Sequence, residues 1–243
     1  MKKIRIAMWS GPRNISTAMM RSFENRKDTS VIDEPFYAYY LKNKGFNHPM
    51  RDEILKSQHT SWNKVASLCS GDIPNDSYIW YQKHMAHHIL ECSDLRWLKN
   101  VKNCILIRNP KDVINSYSKK YNVNDIRQLG YIQQIEIFNY LKNKSYENPV
   151  IIDANDILDN PKKMLNKLCI KMNIQFSDQM LTWPSGSRET DGVWAPYWYE
   201  NVFKSTGFIK YKKKKINLNN DLLFFYDECM KYYTFLYDKR LKL

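Results

Sequence analysis

Glycine and proline are scarce in this chain, 7 and 9 of 243 residues, which excludes a collagenous, low-complexity or linker-dominated protein. Cysteine is scarcer. Cys69, Cys92, Cys104, Cys169 and Cys229 are odd in number and scattered, with no CxxC pair and no zinc-like spacing, so they read as reduced core residues rather than a disulfide framework or a metal knot. Long apolar runs are missing too. None reaches the roughly 18 residues of a membrane span, and Met1 to Trp9, two lysines and a short apolar stretch, is too short for a signal-peptide core. A cytoplasmic protein is expected. Acidic side chains are the last shortage: 25 Asp and Glu against 38 Lys and Arg leave a net charge of +13, a field that attracts anions. Much of the excess is lysine spread along an Asn- and Ile-rich chain, so charge alone does not name the partner.

What is present is alternation. Ile4 to Trp9, Thr29 to Asp33, Tyr78 to Lys83, Cys104 to Ile107 and Val150 to Ile152 are short apolar or β-branched runs, and each reads as a strand. Helical spacing follows at Ile15 to Phe23, Arg51 to Cys69, from about Met85, from Pro110 to Tyr117, from Ile126 to Leu141, and from Pro161 to Met172. Between Ser177 and Lys215 the pattern dissolves into Trp, Tyr, Pro and Gly, and Leu222 to Tyr237 closes the chain as a helix. Strands apolar on both faces, alternating with helices, predict an α/β fold: a three-layer α/β/α domain with a central parallel sheet of about five strands, spanning 1–243. Ligands of such sheets sit beyond the carboxyl ends of the strands.

Two loops at such ends suit an anion. Ser10-Gly11-Pro12-Arg13-Asn14 leads into a helix beginning near Ile15, Ser16 and Thr17, where unpaired N–H groups and the positive end of the helix dipole meet an arginine. Set against the Walker pattern GxxxxGK[ST], it keeps Gly11 but has Ser16 for the second Gly and Thr17 for the Lys, which disfavours ordinary ATP or GTP chemistry. The second loop starts at Arg108, turns at Asn109-Pro110, and carries Ser116 eight residues on, two helical turns inward. The plain alternatives are a capped helix with an exposed Arg13 and a surface ion pair for Arg108.

Together these loops resemble the sulfotransferase family, whose first motif runs roughly Pro-Lys-Ser-Gly-Thr-Thr and whose second begins with Arg and places Ser eight residues later. Pro12 to Thr17 and Arg108 to Ser116 fall on those positions, and Val150 to Pro161 with Leu165, Leu168 and Cys169 is similar to a third family stretch, so the resemblance covers roughly residues 4 to 172. It implies a P-loop nucleotide-kinase-like fold and the donor 3′-phosphoadenosine-5′-phosphosulfate (PAPS), with no metal. The 5′-phosphosulfate would lie on Arg13, Asn14, Ile15, Ser16 and Thr17 and the 3′-phosphate on Arg108 and Ser116. The sequence departs from the family where Arg13 replaces the usual Lys and Ile15 replaces a loop Gly, since Ile resists positive φ. Arg188-Glu189-Thr190-Asp191-Gly192-Val193-Trp194 resembles the family's late cofactor loop with its spacing one short, which adds Arg188 to the donor site.

Sulfuryl transfer needs a base, a cation at the departing oxygen and donors around the transferring group. Glu34, ending the second strand, is the preferred base; the alternative is that Asp33 or Glu34 caps a helix begun by Pro35. Tyr81-Gln82-Lys83-His84 resembles the Lys-Thr-His segment of small-molecule members, which makes Lys83 the leaving-group cation and leaves His84, His87 or His88 as competing bases. Those three histidines share one helical face, but without ligands at usual offsets a metal site is disfavoured. Trp183, Trp194, Tyr197, Trp198 and Tyr199 form an aromatic tract, either a lid over the acceptor or an irregular core flap. The basic run Lys210 and Lys212 to Lys215 reads as a solvated face. The implied reaction moves a sulfuryl group to a hydroxyl or amine of a small metabolite, with nucleic acid not a partner. Two competitors stay open: a divergent nucleotide kinase with Asp153 holding magnesium, and a non-catalytic nucleotide- or RNA-binding protein.

Overall fold

The computed structural model describes residues 3–212 and 215–242. The leader reading of Met1 and Lys2 and the Lys213-Lys214 centre of the basic run lie outside the described residues. Five strands, β1 (Ile4–Ser10), β2 (Thr29–Asp33), β3 (Ile79–Met85), β4 (Lys102–Ile107) and β5 (Val150–Asp153), form one parallel sheet in the order β2-β3-β1-β4-β5. The helices are α1 (Ser16–Glu24), α2 (Tyr37–Lys44), α3 (Arg51–Ser57), α4 (Trp62–Ser70), α5 (Pro110–Tyr117), α6 (Tyr131–Asn143), α7 (Ala154–Asp159), α8 (Pro161–Met172), the one-turn α9 (Ala195–Trp198) and α10 (Glu200–Phe203), and α11 (Asn220–Asp238).

The central strand shows why three layers form. Successive side chains of β1 point to opposite faces: Ala7 and Trp9 join a core with Ile114, Ile137, Leu141, Cys229 and Leu236 from α5, α6 and α11. Ile6 and Met8 join a second core with Met19, Met20 and Phe23 of α1 and Leu165, Leu168 and Met172 of α8. Both faces of the strand are therefore buried, and a large apolar side chain such as Ile6 or Met8 contributes about 1.5–3 kcal/mol. From β1 the chain runs to one side of the sheet for β2 and β3 and then crosses to the other for β4 and β5. The crevice at that reversal lies at the carboxyl end of β1.

Three expected helices differ, and each difference bears on that crevice. The helical run at 51–69 breaks into α3 and α4, with Gln58 extended between them at φ −135°, ψ 159°. Its side chain donates to the Glu34 carbonyl at 3.1 Å and accepts from the Ala38 N–H at 3.1 Å, bracing the β2–α2 corner. The run at 126–141 breaks at Gly130, which takes φ 82° and faces Gly11; a Cβ on Gly11 would stand 2.4 Å from the Leu129 carbonyl oxygen. No helix starts at Met85. Instead β3, paired with β1 as far as Ser10, continues through Met85 into a single 3₁₀ turn, Ala86–His88.

Candidate functional site

The loop after β1 and the loop after β4 touch. Arg13 Nε donates to Ser116 Oγ at 2.9 Å, Arg108 Nη1 donates to the Arg13 carbonyl at 2.8 Å, and Asn14 Nδ2 donates to the Leu106 carbonyl at 2.6 Å. Two guanidinium groups are thus held side by side, and Arg13 is pulled below the ordinary arginine value by burial and by the charge of Arg108. Arg108 Nε is buried without a hydrogen-bond partner among the described residues. Helix α1 opens onto the same place. Among the described residues no side chain caps it and its first turn holds no acid, so its leading N–H groups are unengaged. Ile15, the residue before it, adopts φ 48°, ψ 14°, the left-handed region that the sequence argued against for a β-branched side chain. Arg13 (φ 58°) and Glu34 (φ 40°) are left-handed too.

Opposite this anion-ready wall stands Glu34 at the end of β2. Its N–H donates to the Lys83 carbonyl at 2.9 Å and its own carbonyl accepts from Tyr37 N–H at 3.0 Å, which fixes the strained backbone from both sides. Neither Asp33 nor Glu34 caps α2 with its side chain; both turn to Lys83 instead. The Lys83 ammonium donates to Asp33 Oδ1 at 2.8 Å, Glu34 Oε1 at 2.5 Å and the Tyr199 hydroxyl at 2.7 Å. Tyr199 donates to Asp33 Oδ2 at 2.6 Å and accepts from Trp194 Nε1 at 3.1 Å. Lys83, expected as a cation over the phosphate loop, lies in the wall of the same cavity as that loop, with all three protons engaged.

One cavity of about 270 Å³ connects the two sides; its walls include Arg13 to Thr17, Glu34, Lys83, Arg108 and Ser116, with Tyr37, His48, His87, His88, Trp194, Trp198 and Tyr199 around the rest. Arg188 does not line it: its guanidinium bonds the Ser187 and Pro184 carbonyls of its own turn. The sulfotransferase domain family matches residues 4–239. The chain belongs to the sulfotransferase family.

Three solved sulfotransferases share the fold. The sulfotransferase domain from the curacin biosynthetic pathway superposes with a TM-score of 0.56 at 16% identity, covering 95% of this chain and 98% of that one. The sulfotransferase domain of the Synechococcus PCC 7002 olefin synthase gives 0.55 at 15% identity, over 94% and 95%. The sulfotransferase from Alicyclobacillus acidocaldarius gives 0.52 at 10%, over 100% and 98%. At these identities the likeness is one of fold. Two Arabidopsis thaliana proteins named branched-chain-amino-acid aminotransferase-like protein 1 and 2 are 37% and 35% identical to this sulfotransferase-family chain, over 86% and 95% of its length. The chain spans only 37% and 41% of theirs.

Among the histidines weighed as bases, His84 is removed from the cavity: it stacks on Trp9 at 4.3 Å, and burial pushes it down to about 3. His87 and His88 follow on the 3₁₀ turn, not on a shared helical face. His88 stacks between Tyr37 (4.9 Å) and Tyr40 (4.8 Å) with both ring nitrogens unpartnered among the described residues. Burial, reinforced by His87, His48 and Lys83, holds it well below the ordinary imidazole value, and burial pushes His87 down to about 3. Glu34 moves the other way. Burial raises it and Asp33 adds to the rise, against the pull of Lys83. Of the aromatic tract, Trp194, Trp198 and Tyr199 face the cavity, Trp183 packs on Phe208 and Tyr197 is 50% exposed. No three-residue metal-binding group occurs among the described residues, and no described helix is long and apolar enough to cross a membrane.

Sequence reasoning singled out both loops and Glu34, which line one cavity, but passed over Asp33, except as a cap, and gave Tyr199 no partner. The two are 166 residues apart, and no spacing rule connects them.

Proposed function

We propose that this chain is a PAPS-dependent sulfotransferase that moves a sulfuryl group to a hydroxyl or amine of a small metabolite. One observation carries the reading: Arg13 and Arg108 are fastened together, mutually repelling, beside an uncapped helix start. Holding two like charges in place costs folding energy that a polyanion in the cavity would recover. The residues fit a doubly phosphorylated adenosine: the start of α1 with Asn14, Ser16 and Thr17 receives its 5′ end, and Arg108 with Ser116 its 3′-phosphate. When bound, that donor supplies the activated sulfuryl group.

Arg13, bonded to Ser116 and at the mouth of α1, orients the phosphosulfate and steadies charge on the departing oxygen, the task first read for Lys83. Glu34 takes the acceptor's proton. It is preferred over His87 and His88 because their conjugate acids are disfavoured by burial, whereas burial makes Glu34 a better proton acceptor. The aromatic wall excludes water from the transferring group. Asp153, the magnesium ligand of the kinase reading, is buried, caps α7 through Asn155 N–H at 2.8 Å and accepts from Tyr233 at 3.0 Å, so that reading has no observation in its favour. The aminotransferase in the relatives' names is not carried over, since this chain spans only 37% and 41% of those proteins and its own family match is to a sulfotransferase domain.

Calorimetry with adenosine 3′,5′-bisphosphate tests the reading. Arg108→Ala removes a charge-assisted contact of about 1.5–3 kcal/mol, a loss of roughly 10- to 150-fold in affinity. Negligible binding by both wild type and variant would overturn the assignment.

A further inference from the structure

Glu34 makes one hydrogen bond through Oε1, to Lys83, and its Oε2 lies 3.9 Å from His88 Nε2. A carboxylate serving as base against a bare buried ammonium would be a poor one, because the cation stabilises the charged form. Here the ammonium is not bare. Asp33 takes one of its protons at 2.8 Å and, through Tyr199, holds the oxygen that takes another. All of these groups are buried, so their charges act on one another with little screening.

We propose that Asp33 is a positioning residue for the transfer: it holds Lys83 and Tyr199 so that Lys83 fixes Oε1 of Glu34, while its own negative charge offsets the ammonium and keeps Oε2 basic. The inference rests on the reading of Glu34 as the base. Its arithmetic is two carboxylates around one ammonium. Lys83 stays above the ordinary lysine value: burial opposes its charge, but Asp33 and then Glu34 outweigh that. One carboxylate must therefore be the more weakly held, and it is Glu34, which Asp33 pushes up. The ionisable groups facing Glu34 are Asp33 from β2, Lys83 from β3, His88 from the following turn, Tyr37 from α2 and Tyr199 from the late segment. Of these only Asp33 brings a second negative charge.

The test reads Glu34 directly in the full chain without ligand. The protonated carboxyl stretch of Glu34 is assigned by infrared difference against Glu34→Gln and titrated in wild type and Asp33→Asn. Removing the second negative charge lowers the Glu34 midpoint by at least about one pH unit, a tenfold drop in proton affinity. Should Asp33→Asn fail to fold around its buried ammonium, the same step is read in Lys83→Met against Lys83→Met/Asp33→Asn, where no buried cation is left unpaired. There too the midpoint falls. A midpoint that stays or rises overturns the proposal, whereas a purely structural role for Asp33 would alter stability without moving it. With PAPS and an acceptor, the acid limb of kcat moves to lower pH in Asp33→Asn in step with the titration. Absence of any sulfuryl transfer by wild type would sink the functional reading alone, since the titration still decides the role of Asp33.

Discussion

A β-branched residue in the left-handed region is a strained residue, and Ile15 sits there at the start of α1 with its side chain against Met19-side core residues. Its backbone is held because Asn14 is tied to the Leu106 carbonyl on one side and Met19 N–H bonds the Ile15 carbonyl at 3.0 Å on the other. The strain can be separated from the packing by two truncations. Ile15→Ala and Ile15→Gly both lose the side chain, but alanine keeps the Cβ that the left-handed region penalises by about 1–2 kcal/mol. Ile15→Gly is thus expected to be the more stable of the two by about 1 kcal/mol, roughly 2–4 °C in melting temperature for a chain of this size. Equal melting temperatures would show that the loop relaxes and stores nothing. The sequence indicated the misfit at Ile15, a large residue where the motif it resembles has glycine, but not its resolution, because the ties that impose the conformation come from β4 and from the helix that follows.

At the level of elements, strand ends do the positioning, and β5 shows how much a single end can carry. Asp153 closes the strand and caps α7, yet burial pushes it up to about 6 despite the hydrogen bonds from Asn155 N–H and the Tyr233 hydroxyl. The unfolded chain releases this proton near pH 3.9. The folded chain holds it more tightly, so the contribution to stability is complete below about pH 4 and is lost as pH rises to about 6, on the order of 2–3 kcal/mol. Asp153→Asn keeps a capping oxygen and has no charge to bury. Urea midpoints should therefore show the variant gaining on wild type between pH 4 and pH 7; parallel curves would refute the burial of that charge. Elements of this kind were largely legible. Runs such as Cys104 to Ile107 are apolar at every position, and only a strand covered on both faces needs that. What was not legible were the breaks at Gln58 and Gly130, since both sit inside convincing helical periodicity and are dictated by distant partners, the β2–α2 corner and Gly11. The turn at Ala86–His88 was missed for a related reason: pairing with β1 outweighed local helical spacing.

Across the whole molecule, the late segment must be brought back over a cavity that the first half of the chain has already built. Two ties do this. Gly192 N–H donates to Asp33 Oδ2 at 3.2 Å, and Arg21 of α1 reaches both oxygens of Asp191 at 2.6 Å, 170 residues away in sequence. Asp191 in turn accepts from Arg188 N–H at 2.8 Å, which places Arg188 as part of the fastening rather than of the cavity wall. Arg21 is 1% exposed, and Glu24 at 3.0 Å is its only other carboxylate among the described residues. Removing Asp191 therefore leaves a buried guanidinium half-compensated, a defect of about 3 kcal/mol, whereas replacing both partners by apolar side chains leaves no buried guanidinium and strands only the partly exposed Glu24 and the Arg188 N–H. Asp191→Ala should lose on that order in urea unfolding, and Arg21→Met/Asp191→Leu should recover most of it. Although Trp194, Trp198 and Tyr199 ride on the same segment, both variants should bind adenosine 3′,5′-bisphosphate within a few-fold of wild type, since Arg13 and Arg108 are held by each other and by Ser116 of α5, none of which belongs to that segment. An Asp191→Ala protein as stable as wild type would mean that the segment is held by its aromatic packing and not by this pair.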